Sequence, residues 1–282
     1  MSDQGLPIEI EDTATWPDWL RQATSSNRSL LLDYQKERAR IDELCQQDIL
    51  ARLNPPLNPF ALRYKVLVQK IETLLASHRL VAYHCTRLTA REIADIRRSG
   101  LRVLSSALVT HRIENCVSYG LMTRADGEYL LTSKHLSLTL SDRIGRRTGC
   151  LCYCPNRATL RQPLLVHRLL RSWGGEAVYW GHEEDSLLSR PLRQIGTPCI
   201  VKCAIPYSDI ESWCRHLAER FLSQSVVDVI DHPEPPPAFD LFADHDLLPI
   251  NVLDIFEYAD PTFQALTDCG NWDTNYQLLA SG

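Results

Sequence analysis

LVAYHCTRLTAREIADIRRSGL, residues 80–101, is the stretch on which the fold turns. Leu80, Val81, Ala82 and Tyr83 predict a short strand covered on both faces. Thr89-Ala-Arg-Glu92 has the capping-box spacing, so a helix begins there. Ile93, Ile96 and Leu101 supply its buried stripe, and Gly100 fits a left-handed turn at its end. Between strand and helix, His84, Cys85, Thr86 and Arg87 are expected in a polar turn, where a backbone leaving a sheet is rigid yet open to a ligand.

Upstream, residues 1–79 read as a helical segment packed on the core. A short helix follows Pro17, and a long one runs from Ser29 to about Leu53. The Asn54-Pro-Pro-Leu-Asn-Pro break ends it. Another helix, Ala61–Ser77, shows Leu62, Val66, Leu67, Ile71, Leu74 and Leu75 on a broad apolar face, either a layer against the sheet or a docking surface.

Downstream, Ser105 or Ser106 caps a helix, and another spans Gly127 to about Ile144. Arg143, Arg146 and Arg147 then form a basic loop, either solvated or phosphate-contacting. A strand ends at Cys154, with Asn156 capping the helix after Pro155. Glu176-Ala-Val-Tyr-Trp reads as a strand after Gly174-Gly175. Cys199–Ile205 is a strand, and Ser208-Asp209 opens a helix with Ile210, Trp213, Leu217, Phe221 and Leu222 inward. Asp231–Pro237 is a stiff proline-rich loop, Ala238–Tyr258 holds the last strands, and Asp260-Pro261 opens a final short helix.

Composition is that of an ordinary globular protein, with 44% hydrophobic and 23% charged residues. The net charge of -5 argues against a chain that is basic all over but leaves room for a local basic groove. There is no apolar run of about twenty residues to suggest a membrane span. The acidic start, MSDQGLPIEIEDT, lacks the pattern of a signal peptide. Ten cysteines without a small secreted framework point to a reducing cytoplasm and free thiols. Cys150, Cys152 and Cys154 alternate too closely for the usual zinc spacing, so no metal is expected.

The His84-Cys85-Thr86 motif, followed by a helix and Gly100-Leu101, resembles the first motif of the ADP-ribosyltransferase fold, in which a strand ends in His-x-Thr or His-x-Ser. The resemblance covers about Leu80–Tyr258. It implies an α+β domain at residues 80–282, with a split mixed or antiparallel sheet and helices, after the helical segment at 1–79. It implies NAD as substrate, with His84 on a ribose hydroxyl, backbone near Cys85 on the nicotinamide amide and Thr86 bracing either. Tyr153 or Tyr179 would stack on the nicotinamide. Asp240, in a late strand where the family usually has glutamate, or Glu176, would be the catalytic acid, with Asp244 and Asp246 as alternatives. Arg87, Arg157 or the Arg143–Arg147 loop would neutralise the diphosphate.

By this resemblance the chain would transfer ADP-ribose to a macromolecule, nucleic acid or protein, as a toxin or phage-defence effector, with an inhibitory partner. An NAD-dependent RNA 2′-phosphotransferase and a non-catalytic binding module on the same fold are the other readings.

Overall fold

The computed structural model describes residues 5–141, 148–183, 185, 187–211, 214, 217–229, 240–273, 276 and 278. The described chain is mixed α+β, helix-rich, with small antiparallel sheets. It divides into two compact units.

The first unit is Met1–Leu80, Pro206–Ser208 and Ser212–Pro237. It holds α1 (Asp18–Ser26), α2 (Arg28–Gln47), α3 (Ile49–Leu53) and α4 (Ala61–Leu75). The single long helix expected over 29–53 is two: Asp48 takes extended backbone and its carboxylate caps α3 by accepting from Leu50 N. On α4, Tyr64, Leu67, Ile71 and Leu75 are buried, whereas Leu62 and Val66 face solvent. The buried stripe is therefore narrower than the apolar face seen in the sequence. Tyr34 and Tyr64 stack at 3.7 Å between centroids, joining α2 to α4.

The second unit is Val81–Ile205, Asp209–Glu211 and Ala238–Gly282. Strand β1 (Arg79–Leu88) begins in the first unit and runs on through the second. The polar turn expected at His84–Arg87 is strand instead. These residues continue the ladder, and Cys85, Thr86 and Arg87 are buried there. Thr89 then caps α5 (Ala90–Ser99), with both halves of the capping box formed. Ser105 caps α6 (Ser106–Ser118).

The helix expected over 127–144 is two, α7 (Arg124–Thr132) and α8 (Lys134–Leu140). Ser133 breaks the run by capping the second, and Ile144 lies outside the described residues. Strand β2 (Leu151–Tyr153) leads through Pro155 to α9 (Arg157–Leu160), capped by Asn156 as expected, and then α10 (Pro163–Arg171). The Glu176–Tyr179 run is not a strand but one helical turn, α11, with Val178 and Tyr179 N–H groups returning to the Gly175 carbonyl. Next are α12 (Ser189–Gln194) and β3 (Thr197–Pro206).

After β3 comes a short 3-10 turn, Tyr207–Asp209, rather than a helix opened by Ser208. The helix there, α13 (Leu217–Gln224), begins later and belongs to the first unit. Its Phe221 meets Trp16 edge-on at 5.5 Å, and Ala218 N donates to Glu72. Trp213, the Arg143–Arg147 loop and the Asp231–Pro237 loop lie outside the described residues. The chain ends with β4 (Leu241–Ala243), β5 (Val252–Glu257) and α14 (Pro261–Thr267), which Asp260 caps.

The strands form a three-stranded sheet ordered β1-β3-β5 and a two-stranded sheet β2-β4. β3 and β5 are antiparallel, as are β2 and β4, with Cys152 opposite Phe242. A bridge between Tyr83 and Cys154 ties β1 to the end of β2, and a Leu101–Leu247 bridge ties the α5 exit to the loop after β4. No described helix is long and apolar enough to cross a membrane.

Candidate functional site

A cavity of about 410 Å³ opens in the second unit. It lies within the usual range of small-molecule sites, roughly 300–1,000 Å³. Its walls come from β1, α5, α6, β2, the Gly174–Ala177 corner and Phe242 of β4.

Three expected site residues of β1, His84, Cys85 and Thr86, line this cavity, and Glu176 joins them from the far side of the sequence. His84 Nδ1 lies 2.8 Å from the Cys152 carbonyl oxygen. A carbonyl can only accept, so Nδ1 carries the proton and Nε2 keeps its lone pair. Burial lowers the His84 pKa and the nearby Arg112 charge lowers it further, against the opposing Cys152 bond. The ring is therefore a neutral acceptor at neutral pH.

The Cys85 side chain hydrogen bonds to the Cys154 thiol, and this contact with burial holds the Cys154 thiol protonated, well above its ordinary range. Glu176 opens α11 directly after two left-handed glycines, Gly174 at φ +96° and Gly175 at φ +67°. A Cβ on Gly174 would come within 2.4 Å of Val178 Cβ, so the corner that presents Glu176 requires glycine.

The remaining candidates stand elsewhere. Arg87 is buried with Nε donating to the Ile195 carbonyl at 2.8 Å, away from the cavity lining. Tyr153 is buried behind His84, its ring edge-on at 6.0 Å, with an unpaired hydroxyl. Tyr179 lies under the Arg168 guanidinium. Arg157 begins α9. Asp240 is exposed just before β4 and close enough to Cys154 to bear on its thiol. Asp244 pairs with His245, and Asp246 accepts from Val103 N at 2.8 Å. None of these seven lines the cavity.

Several cavity residues lie outside the site expected from the sequence, Phe242 and Arg112 among them. Phe242 is the aromatic ring of the lining, brought there by its register with Cys152. Arg112 projects from α6, its Nε 2.6 Å from Glu92 Oε1. Glu92 also caps α5 and accepts from Trp173 Nε1 at 3.1 Å. Burial favours the neutral acid, but Arg112 and these donors outweigh it and lower the Glu92 pKa. Glu92 is thus a carboxylate at neutral pH. Among the described residues no group of three His, Cys, Asp or Glu side chains is placed to hold a metal.

A comparison with protein-family models, curated proteins and solved structures finds no match to this chain.

Proposed function

We propose that the chain has an ADP-ribosyltransferase-like fold and consumes NAD, transferring ADP-ribose to a nucleic acid or protein. The observation that carries this reading is the convergence of His84 and Thr86 of β1, Glu176 and Phe242 on one cavity from three distant points of the sequence. Three of them, His84, Phe242 and Glu176, have a task in breaking a nicotinamide–ribose bond. The lone pair on His84 Nε2 accepts a ribose hydroxyl. The Phe242 face suits a flat aromatic leaving group. The Glu176 carboxylate stabilises the positive charge that develops on the sugar as the bond lengthens. The pair of electrons leaves with nicotinamide, and a nucleophile on the target closes on the sugar carbon. Of the two acids weighed in the sequence, Glu176 is the one favoured by its place in the cavity wall.

The test is nicotinamide release from NAD by wild type, His84→Ala and Glu176→Gln, alone and with RNA, DNA or cell lysate. Wild type is expected to release nicotinamide, and each variant to lose about 100-fold or more. The additive that raises the rate names the target class. No release under any condition would sink the reading and favour a binding module, to which the exposed position of Asp240, off the cavity, lends support.

A further inference from the structure

Arg112 is a largely buried, half-satisfied charged group of the cavity wall. Its side chain is 19% exposed and lies over the Trp173 ring, 4.9 Å from the centroid. Of its five N–H donors, Nε alone has a hydrogen-bond partner among the described residues, Glu92. Nη2 is buried with none. Glu92 cannot supply a second acceptor: its Oε2 already takes Thr89 N at 2.8 Å, Thr89 Oγ1 at 3.0 Å and Trp173 Nε1 at 3.1 Å. The guanidinium is thus fixed in plane by Glu92 and Trp173, while its outer fork is left without acceptors on a cavity wall.

Buried polar groups in folded proteins are nearly always hydrogen-bonded, so a rigid fork with a buried, unpartnered Nη2 calls for an acceptor from outside the chain. A planar fork matches two oxygens on one atom, the geometry of a phosphoryl group. Arg98 and Arg102 line the same cavity, Arg98 paired with Asp95.

We propose that the Arg112 fork is an anion subsite that seats a phosphoryl group of a nucleoside-diphosphate-type ligand in the His84 cavity. The subsite stands on the unpartnered fork and the cavity; only the link to NAD rests on the function proposed above. It also assigns the diphosphate contact to a residue outside the arginines that the sequence suggested.

Calorimetric titration tests it with three probes, ADP-ribose, inorganic pyrophosphate and adenosine, on wild type, Arg112→Lys and Arg112→Gln. ADP-ribose and pyrophosphate are expected to bind wild type, and adenosine at least about tenfold more weakly than ADP-ribose. Arg112→Lys keeps the charge beside Glu92 but loses the fork, and is expected to weaken ADP-ribose about tenfold or more. Arg112→Gln should weaken it further. If Arg112→Gln does not fold, the lysine variant and the wild-type probe series decide. Adenosine binding as tightly as ADP-ribose, undiminished binding by Arg112→Lys, or no binding of either phosphorylated probe would overturn the subsite. Arg112-dependent binding without nicotinamide release would keep the subsite and remove the transferase. Nicotinamide release that needs His84 but ignores Arg112 would do the reverse.

Discussion

The Nδ1–H of His84 donates to the carbonyl oxygen of Cys152 across 2.8 Å, and this bond alone decides which nitrogen faces a ligand. The tautomer is set by backbone rather than by a titratable partner. A ligand hydroxyl therefore meets an acceptor at Nε2 as long as the ring stays neutral.

That fixes the expected pH dependence of activity. The folded His84 pKa lies below 6.5, so the neutral, accepting form persists below that pH and is lost only as pH falls further. The acid limb of kcat/KM for nicotinamide release should accordingly lie below pH 6.5. An acid limb at or above that value would contradict the assigned role.

Glu92 joins the α5 cap to the cavity. Glu92→Gln keeps the shape but leaves the Arg112 cation uncompensated, with both side chains under a fifth exposed. The expected loss is about 2–4 kcal/mol in a urea titration. Thr89→Ala, which removes only the cap hydroxyl, should cost about 1 kcal/mol. Equal costs for the two would mean that the ion pair contributes nothing beyond the cap.

Gly100 ends α5 at φ +82°, and a Cβ there would sit 1.8 Å from the Leu247 carbonyl oxygen. Gly100→Ala must push apart the Leu101–Leu247 bridge, whose hydrogen bonds measure 3.0 and 2.8 Å. A destabilisation of about 3 kcal/mol or more is expected, or insoluble protein. Gly120, at φ +69° with open space around it, is the control, and its alanine variant should lose only about 1 kcal/mol. Thermal denaturation of the two side by side separates steric clash from backbone strain.

His167 is 5% exposed with Nε2 unpaired. Burial lowers its pKa to about 4, with Arg171, Arg193 and Arg168 pushing the same way and Glu183 opposing. The unfolded chain takes up this proton near pH 6.5 while the folded chain refuses it until about 4. Stability from this group is thus complete above pH 6.5 and falls with acid down to about 4, by up to ~3 kcal/mol at about 1.4 kcal/mol per pH unit. His167→Leu should flatten that acid slope in melting temperatures taken from about pH 7.5 to about pH 5. An unchanged slope would place the acid sensitivity elsewhere.

Local signals carried much of the fold. The Thr89–Glu92 spacing, the Asn156 cap, the β3 run and Asp260-Pro261 each depend on neighbours in sequence, and each forms as read. Glu176–Tyr179 did not, because four apolar-rich residues have no period of their own, and the two left-handed glycines before them favoured a helical turn. Arg112 was invisible for another reason. It stands on a polar-looking helix, and its carboxylate partner lies one helix upstream, already assigned to a cap. Phe242 depended on a strand register between β2 and β4, which no local pattern specifies.

The first compact unit has a consequence for the order of synthesis. Its α4 is complete at Leu75, but α13, which packs against α4 and sets Phe221 on Trp16, begins only at Leu217. At roughly 5–20 residues per second, the ribosome takes on the order of ten seconds to cover that gap. The N-terminal helices must wait through it without Phe221 on Trp16 and without α13 against α4, so this unit cannot finish folding before most of the second has been made.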